Sequence, residues 1–396
     1  MVAKNLGTEA EVLERYSRGA HVVEPDLCCP VDGGDDQQYL ALLPREIIEK
    51  DYGCGNPSKW ARPGDTVVDL GSGAGKACYV LSQKVGRDGR VIGVDFNDAM
   101  LELARKHQSE IARKIGYANV RFVKGKIQDL ALNLEKVQRW LDQQPIRRVE
   151  DFAAFEAECQ RLRTEEPMVA SNSVDLVVSN CVLNLVRPQD KRRLFEELLR
   201  ILRRGGRAVI SDIVCDEEPT PAILSDPKLW SGCISGAFRE DKFLKMFEDA
   251  GFYGIEILSR HDQPWRVLDG VEFRSMTVRA YKGKQGPCLE RNQAVVYRGP
   301  WKCVCDDDGH TYHRGERMAV CDKTYGLLTS AEGPYAAQVI GIEPAQPVPL
   351  DHAPPFDCAA NAIRDPRVMK AGGGAAVSTG GSSVCCLPSN GHGKCC

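Results

Sequence analysis

The sequence predicts an α/β fold built on a doubly wound, mostly parallel sheet, and three observations support this. Short β-branched runs alternate with helix-like segments from residue 66 onwards. The first run ends in a glycine-rich turn at residues 71–75, which leads directly into a helix. The second run ends in Asp95, 20 residues after Gly75. Repeated strand–helix units of this size form parallel strands with helices on both faces of the sheet.

The elements follow in chain order. Strands are predicted at residues 66–70, 91–95, 119–123, 174–179 and 208–212. Helices are predicted at 76–85, 98–115 and 189–203, and a further helix at 239–250 precedes an antiparallel pair at 254–258 and 273–281. Between the third and fourth strands, residues 130–141 and 150–163 have helical periodicity and many charges. We interpret them as an inserted, solvent-facing helical pair that acts as an ordinary connector.

Four regions are predicted along the chain. Residues 1–62 form an N-terminal cap with helices at 11–15 and 40–50 and a loop that carries Cys28 and Cys29. Residues 63–284 hold the sheet, with the insertion at about 130–170. Residues 285–345 form a smaller β-rich domain with candidate strands at 294–297 and 336–342. Residues 346–396 combine a proline-rich linker with a flexible tail that ends in two cysteine pairs.

Composition excludes several classes of function. The 52 basic and 55 acidic residues nearly cancel, which argues against a nucleic-acid-binding face. No apolar run approaches the roughly 18 residues of a membrane-spanning helix, and the N-terminus lacks the apolar segment of a secretory signal. We therefore expect a soluble, cytoplasmic protein. Its 17 cysteines are expected to bind a soft ion, exchange electrons or pack in the core, because the cytosol keeps thiols reduced.

The glycine-rich turn indicates a cofactor site. Its glycines let a ligand approach the backbone, and Asp95 is placed to bind two ribose hydroxyls. NAD and S-adenosylmethionine both fit this geometry. We favour S-adenosylmethionine because the glycine pattern does not specify a pyrophosphate-binding turn. In addition, residues 127–129 follow the third strand, where a polar side chain can meet an adenine amine, and residues 179–181 end the fourth strand.

Three cysteines are predicted near the cofactor. Cys181 lies at the C-terminal end of the fourth strand, where open α/β sheets bind their ligands. Cys54 lies between two glycines, and Cys233 follows the fifth strand in a loop of small residues. In this topology the loops after those strands and the N-terminal segment converge over the reacting end of the cofactor. We interpret Cys78 and Cys215 as structural.

These motifs occur together in a known family. Residues 52–55 (Tyr-Gly-Cys-Gly), 69–79, 179–185 and 229–233 (Leu-Trp-x-x-Cys) resemble the arsenite S-adenosylmethionine methyltransferases. The resemblance covers most of residues 12–345 and extends to the cysteine-rich tail, as in the animal and algal enzymes. It implies a Rossmann-like class I methyltransferase fold with an N-terminal helical cap. One departure is Gly232, where many members have Glu before the cysteine.

The resemblance also implies the reaction, which is transfer of the methyl group of S-adenosylmethionine to trivalent arsenic in arsenic detoxification. In the family, the equivalents of Cys54, Cys181 and Cys233 bind trivalent arsenic, and an N-terminal cysteine, here Cys28 or Cys29, takes part in thiol–disulfide exchange. Arsenic is thiophilic, and its lone pair can attack the sulfonium methyl group without a general base. Disulfide formation can return the electrons, with thioredoxin or glutathione as the reductant. The implied ligands are arsenite and methylated trivalent arsenicals, bound by a monomer.

The predicted cofactor contacts come from the N-terminal segment and from the ends of the first four strands. They are Tyr52, Asp69, Gly71, Ser72, Gly73, Asp95, Phe96, Ile127, Gln128, Asn180, Val182 and Leu185.

Three alternatives stay open. One is a methyltransferase that acts on carbon, oxygen or nitrogen of a small molecule. Another is a metalloid-binding protein without turnover, although the presence of Asp69, the glycines and Asp95 argues against it. The third is a zinc site, whose ligand spacing would match no established zinc pattern. Its candidate ligands are Cys303, Cys305, His310, His313 and Cys321.

Overall fold

The computed structural model describes residues 2–24, 27, 36–360 and 362–371. The chain forms two compact units. The first contains residues 1–251 and 255–281, and the second contains residues 252–254 and 282–396.

The first unit is built on a nine-stranded sheet in the described part of the chain. The strands are β1 (Thr66–Leu70), β2 (Arg90–Asp95), β3 (Val120–Lys124), β4 (Val174–Asn180), β5 (Leu202–Cys215), β6 (Phe238–Arg239), β7 (Tyr253–Arg260), β8 (Arg266–Leu268) and β9 (Val271–Tyr281). Their main order is β3-β2-β1-β4-β5-β9-β7. Strands β1 to β5 are parallel, whereas β9 is antiparallel to β5. The predicted doubly wound, mostly parallel sheet is therefore confirmed.

Twelve helices are described in the residues up to the end of this sheet. They are α1 (Val2–His21), α2 (Gln37–Leu40), α3 (Arg45–Glu49), α4 (Lys76–Val85), α5 (Asp98–Lys106), α6 (Gln108–Ile115), α7 (Leu134–Gln143), α8 (Val149–Glu165), α9 (Pro188–Ile201), α10 (Pro221–Ser225), α11 (Pro227–Ser231) and α12 (Glu240–Ala250). Among the described helices, none combines the length and apolar character needed to cross a membrane.

The central strands form where β-branched and aliphatic runs are buried on both faces. Val67 and Val68 of β1, Leu176 and Val178 of β4 and Val209 of β5 are all fully buried. Parallel strands covered on both faces have such continuous apolar sequences. This apolar centre explains why the strand positions were readable from the sequence.

Several predicted helix boundaries are wrong. The helix expected at residues 11–15 is the 20-residue α1. The helix expected at 40–50 is divided into α2 and α3, because Pro44 disfavours helical geometry in the residue before it. The helix expected at 98–115 is interrupted at His107, and the helix expected at 189–203 ends at Ile201, where β5 begins.

Strand β1 lies where the strand order reverses. It pairs with β2 on one side and with β4 on the other, so that Asp69 is opposite both Gly93 and Val178. Ligands of open α/β sheets bind outside the carboxyl ends of the strands at such a point. This topology brings the glycine turn, the end of β2 and the end of β4 to one edge of the sheet.

Helices α7 and α8 form the inserted pair between β3 and β4. Their facing side chains, which include Val137, Cys159 and Leu162, form a small apolar cluster. Arg163 of α8 also forms an ion pair with Asp129 at 2.9 Å between Nη2 and Oδ2. The pair is thus packed on itself and attached to the loop after β3.

The second unit contains two small antiparallel sheets. Its elements are β10 (Ala294–Tyr297), β11 (Cys303–Cys305), β12 (Thr311–His313), β13 (Arg317–Ala319), α13 (Asp322–Thr329), β14 (Val339–Ile342) and α14 (Pro366–Lys370). One sheet has the order β13-β10-β14, and the other pairs β11 with β12. The predicted strand at 336–342 begins at Val339. In the segment expected to be a linker, Arg364 is buried and forms an ion pair with Glu290 at 2.8 Å.

A buried ion pair fixes the start of β1. The Nη2 atom of Arg207 on β5 lies 2.6 Å from Oδ2 of Asp65, and both side chains are less than 8% exposed, at 4% and 7%. The same guanidinium donates to the carbonyl oxygen of Trp60 at 2.5 Å. The backbone at the start of β1 is therefore held by a side chain of β5, two strands away in the sheet.

We expect Arg207→Ala to lower the free energy of unfolding by about 3–5 kcal/mol, because it leaves the buried Asp65 carboxylate without its cation. Arg192→Ala removes an exposed ion pair with Glu196, at 87% and 52% exposure, and should change stability by less than about 1 kcal/mol. Denaturant unfolding of both variants measures the difference. Equal effects of the two substitutions would contradict this assignment.

Candidate active site

The glycine turn after β1 leaves backbone accessible at the sheet edge. Gly71, Gly73 and Gly75 have φ angles of 66°, 50° and 86°, which favour glycine over other residues. A Cβ atom at Gly71 would overlap the Val182 side chain, whereas one at Gly73 would meet no atom within 4 Å. Gly71 thus allows two loops to pack closely, and Gly73 faces open space.

Two carboxylates border this turn, those of the buried Asp69 and the half-buried Asp95. The Asp95 carboxylate accepts hydrogen bonds from the N–H of Gly73 and the N–H of Asn97, each at 2.8 Å. Burial raises the pKa of Asp95. Burial raises the pKa of Asp69 to about 7, although the Cys78 thiol donates to its Oδ2 atom at 3.2 Å. The turn is therefore bordered by negative charge, and this charge increases near neutral pH as Asp69 loses its proton.

These residues line a cleft whose empty volume is about 1190 Å³, including the space at its open mouth. All twelve residues predicted as cofactor contacts line it, and so does Cys181. They are Tyr52, Asp69, Gly71, Ser72, Gly73, Asp95, Phe96, Ile127, Gln128, Asn180, Val182 and Leu185. The first four strands and the N-terminal segment contribute to this cleft as expected for a doubly wound sheet.

Helix α1 forms a wall of the cleft that the sequence reasoning missed. Its contributions are Glu9, Val12, Leu13 and Tyr16. The amide of Asn97 donates to the Leu13 carbonyl oxygen at 3.1 Å and to Ser17 Oγ at 3.0 Å, which attaches the helix to the end of β2. The apolar spacing of residues 12, 13 and 16 is a helical pattern that could have identified this face.

The three predicted cysteines lie together beside the cleft. Cys54 and Cys181 form a disulfide with their Cα atoms 5.7 Å apart. The Cys233 thiol donates to the Cys181 carbonyl oxygen at 3.0 Å. All three are buried, and they belong to one apolar cluster that includes Ile213 and Phe273. The sequence separation of 127 residues between Cys54 and Cys181 shows that the fold, not local structure, brings them together.

Two of these cysteines have unusual backbone conformations. Cys181 and Cys233 have φ angles of 60° and 63°, in the left-handed region that non-glycine residues seldom adopt. Such conformations cost on the order of 1–3 kcal/mol and persist where surrounding contacts determine them. The N–H of Cys181 donates to the Ser211 carbonyl oxygen at 2.8 Å, and Asn184 Nδ2 donates to the Cys233 carbonyl oxygen at 3.1 Å.

Asn180 connects the end of β4 to the segment that carries Cys54. Its Oδ1 atom accepts from the N–H groups of Cys54 and Gly55 at 2.8 and 2.9 Å. Its Nδ2 atom donates to the Gly55 carbonyl oxygen at 2.8 Å. A Cβ atom at Gly53 would overlap this amide. Gly53 is therefore required by the close approach of Asn180, and Gly55 by that of the Ser211 side chain, which a Cβ atom at Gly55 would overlap.

Buried polar groups surround the thiols. The Tyr16 hydroxyl lies 3.9 Å from Cys233 Sγ, and burial raises the pKa of Tyr16 well above its usual value, so that the phenol is neutral. Burial also raises the pKa of Asp212 to about 7 and lowers the pKa of Lys191 to about 8. Asp212 accepts from the N–H of Leu183 at 2.8 Å and thereby supports the loop after Cys181.

Some predicted residues lie elsewhere. Cys28 and Cys29 are outside the described residues. Of the zinc alternative, His310 bonds to Asp306 at 2.8 Å between Nδ1 and Oδ2, and Cys321 lies with two other cysteines that the zinc set did not include. The zinc set therefore does not form a common site within the described residues.

The cleft fits S-adenosylmethionine by its donor set and shape. The two Asp95 oxygens each use one lone pair on a backbone N–H, which leaves lone pairs for ribose hydroxyls. Gly73 provides open backbone, and Phe96 provides a half-exposed aromatic face. Cys181, at the end of the same cleft, connects the cofactor region to the thiols.

Comparison with known proteins defines the class and then the family. A family profile described as a methyltransferase domain matches residues 61–168 and 162–251, so that the first unit is a methyltransferase domain. A profile described as a domain of unknown function matches residues 284–374. The arsenite methyltransferase of Aquipseudomonas alcaligenes is 31% identical over 316 residues, which are 76% of this chain and 80% of that protein. The chain belongs to the arsenite methyltransferase family, and the resemblance drawn from its motifs is confirmed.

A further relative and a solved structure are also similar to this chain. The arsenite methyltransferase of Homo sapiens is 29% identical over 308 residues, which are 74% of this chain and 72% of that protein. The crystal structure of an arsenic(III) S-adenosylmethionine methyltransferase from Chlamydomonas reinhardtii has 28% identity and a TM-score of 0.49, and covers 85% of this chain and 100% of that one.

The packing at Gly53 gives a test of the thiol geometry. We expect Gly53→Ala to displace Asn180 from Cys54 and Gly55, and to lower the equilibrium constant for the Cys54–Cys181 disulfide about tenfold or more in a glutathione redox buffer. Peptide mapping by mass spectrometry measures the disulfide-bonded fraction. Gly326→Ala is the matched control, because a Cβ atom there meets nothing within 4 Å. A disulfide unaffected by Gly53→Ala would refute the packing role.

Proposed function

We propose that this protein transfers the methyl group of S-adenosylmethionine to trivalent arsenic held by Cys54, Cys181 and Cys233. The observation that carries the proposal is the placement of these three cysteines in one buried cluster, with Cys181 lining the cofactor cleft. The relatives of this chain that are named arsenite methyltransferases support arsenite as the substrate.

The thiols would bind arsenite by exchange of ligands. Three S–H groups and three As–OH groups would form three As–S bonds and release three water molecules. The disulfide between Cys54 and Cys181 must first be reduced, because it occupies two of the three sulfurs. Apolar neighbours such as Ile213 and Phe273 exclude water from the bound arsenic.

The cleft residues would place the second substrate. When bound, S-adenosylmethionine supplies a methyl group on a positively charged sulfur, which the arsenic lone pair can accept. Asp95 and the glycine turn would hold the ribose, and residues after β3, Ile127 and Gln128, would face the adenine. The neutral Tyr16 phenol lies beside Cys233 without adding a charge. The contribution of the protein is then mostly positioning, which can supply up to about 7–11 kcal/mol.

Methylation oxidises arsenic from the trivalent to the pentavalent state, and thiols would reverse this. One thiolate leaves arsenic and forms a disulfide with an incoming thiol, which loses its proton; the two sulfurs lose two electrons and arsenic gains two. We propose Cys28 or Cys29 as the incoming thiol. Thioredoxin or glutathione would then reduce the disulfide by thiol–disulfide exchange. The proposal includes a monomeric enzyme in the cytoplasm, where these reductants occur.

Replacement of the ligands tests this function. We expect Cys54→Ser, Cys181→Ser and Cys233→Ser each to lower the initial rate of arsenite methylation at least about 100-fold, because loss of one sulfur misplaces the arsenic. Chromatographic separation of arsenic species after incubation with arsenite, glutathione and S-adenosylmethionine measures the product. Cys305→Ser, at an exposed cysteine of the second unit, is the control. Full activity in Cys181→Ser would refute the proposal, and arsenic binding without product would indicate a binding protein.

The buried carboxylates predict a pH dependence of cofactor affinity. Asp69, with a pKa of about 7, is neutral below that pH and charged above it. S-adenosylmethionine carries one more positive charge than S-adenosylhomocysteine. As Asp69 becomes negatively charged between pH 6 and pH 8, the affinity for S-adenosylmethionine should therefore increase more than the affinity for S-adenosylhomocysteine. One coupled proton allows at most about a tenfold change per pH unit.

Calorimetric titration of both ligands at several pH values measures this ratio of affinities. Asp69→Asn, which cannot ionise, should make the ratio independent of pH. A constant ratio in the unmodified protein would contradict the role of Asp69.

A further inference from the structure

A second cluster of thiols lies in the second unit, and the proposed function uses none of its members. The sulfur atoms of Cys288, Cys321 and Cys358 are all within 4.8 Å of one another. Cys321 is buried, and Cys288 and Cys358 are half-buried. The cluster lies within residues 284–374, which match a profile described as a domain of unknown function.

Three separate chain segments are held in register to form this cluster. The N–H of Phe356 donates to the Cys288 carbonyl oxygen at 2.9 Å, and the N–H of Asp322 donates to the Leu289 carbonyl oxygen at 2.9 Å. These backbone hydrogen bonds place the residues near 288, 321 and 358 side by side. A chance approach of surface side chains would have no such framework.

Ion pairs reinforce the same arrangement. Arg364, with only 1% of its side chain exposed, pairs with Glu290 at 2.8 Å. Arg291 pairs with Asp322 at 2.7 Å. The segments that carry Cys358, Cys288 and Cys321 are thus joined by charge pairs as well as by the backbone. Ligands held in position by neighbouring groups in this way require little reorganisation to bind an ion.

The three thiols are hydrogen-bonded within the cluster. Cys321 is the N-cap of α13, where the N–H of Thr324 lies 3.4 Å from its sulfur and its thiol donates to Thr324 Oγ1 at 3.2 Å. Burial, together with hydrogen bonds to Cys288 and Cys321, raises the pKa of the Cys358 thiol above its usual value. Binding of a soft ion to these thiols therefore releases their protons.

The cluster offers three soft ligands and, among the described histidines, cysteines and carboxylates, no fourth. A structural zinc site has four protein ligands, usually in a tetrahedron. Trivalent arsenic is complete with three thiolates, because its lone pair occupies the fourth position. The donor set therefore favours arsenic over zinc.

We propose that Cys288, Cys321 and Cys358 form a second arsenic site, which binds one trivalent arsenical through three thiolates. Binding of arsenite would convert three S–H and three As–OH groups into three As–S bonds and three water molecules, with no change in oxidation state. The choice of arsenic as the ligand rests on the proposed function. The arrangement of the three thiols is observed independently of that function. The half-buried Cys288 and Cys358 give the ion access from solvent.

Four full-length proteins test the proposal. They are the unmodified chain, Cys54→Ser/Cys181→Ser/Cys233→Ser, Cys288→Ser/Cys321→Ser/Cys358→Ser, and the combination of both sets. Serine suits Cys321 because it is a preferred N-cap residue. Arsenic bound per chain is measured by equilibrium dialysis against arsenite with a phosphine reductant, followed by elemental analysis. Cys305→Ser, an exposed cysteine of the same unit, is the matched control.

We expect the substitutions at Cys288, Cys321 and Cys358 to lower the arsenic bound per chain by one equivalent. The loss should be the same whether Cys54, Cys181 and Cys233 are present or replaced by serine. The single variant Cys358→Ser should weaken binding of that equivalent at least about tenfold, and its unfolding transition shows whether the fold is intact. An unchanged stoichiometry would overturn the proposal. Binding of one zinc equivalent that prevents arsenic binding would also overturn it.

The two proposals fail separately. If the chain with Cys54, Cys181 and Cys233 replaced still methylates arsenite, the proposed function of those residues is wrong, but the stoichiometric difference at the second cluster is unaffected. If that difference is absent while methylation depends on the first three cysteines, only the second arsenic site is wrong.

Discussion

The geometry of the site depends on the side chain of Asn180. Its amide forms three hydrogen bonds with the backbone of Cys54 and Gly55, and these bonds join an N-terminal segment to the end of β4. Ser275 of β9 also donates to the Cys54 carbonyl oxygen at 2.5 Å, so that two strands of the sheet hold this segment beside Cys181. Gly53 follows from that bridge, because a Cβ atom there would overlap the Asn180 amide. The same side chain, Asn180, therefore lines the cofactor cleft and positions the thiols.

Burial reduces the charge of the ionisable groups around the thiols. Tyr16 is neutral, and burial raises the pKa of Asp212 to about 7 and lowers that of Lys191 to about 8, so that each is partly neutral near neutral pH. Charged groups are costly in such an apolar setting unless they are paired. A neutral complex of arsenic with three thiolates suits this pocket better than a dication would. The apolar cluster thus favours a metalloid that forms covalent bonds to sulfur.

The sequence predicted the sheet and the cleft well but the helices less well. The strands are apolar runs that end in polar residues or glycines. Asp69, Asp95 and Asn180 could therefore be assigned to one edge of the sheet from the order of strands and helices along the chain. Two features were missed. Helix α1 has a helical apolar pattern at residues 12, 13 and 16, but its position over the cleft depends on a hydrogen bond from Asn97 to the Leu13 carbonyl oxygen, which is a tertiary contact. The cluster of Cys288, Cys321 and Cys358 depends on backbone pairing between distant segments, whereas the zinc hypothesis used only residues close in sequence.

The disulfide between Cys54 and Cys181 has a consequence for the order of events. Because both sulfurs are proposed arsenic ligands, the oxidised site retains only Cys233 and cannot hold arsenic by three bonds. Reduction must then precede substrate binding in every cycle that leaves this disulfide behind. A second thiol cluster that is not oxidised in the same step would still hold arsenic during that interval. Arsenic binding at the second site would thus be independent of the redox cycle, since only the first site gives up its sulfurs to the chemistry.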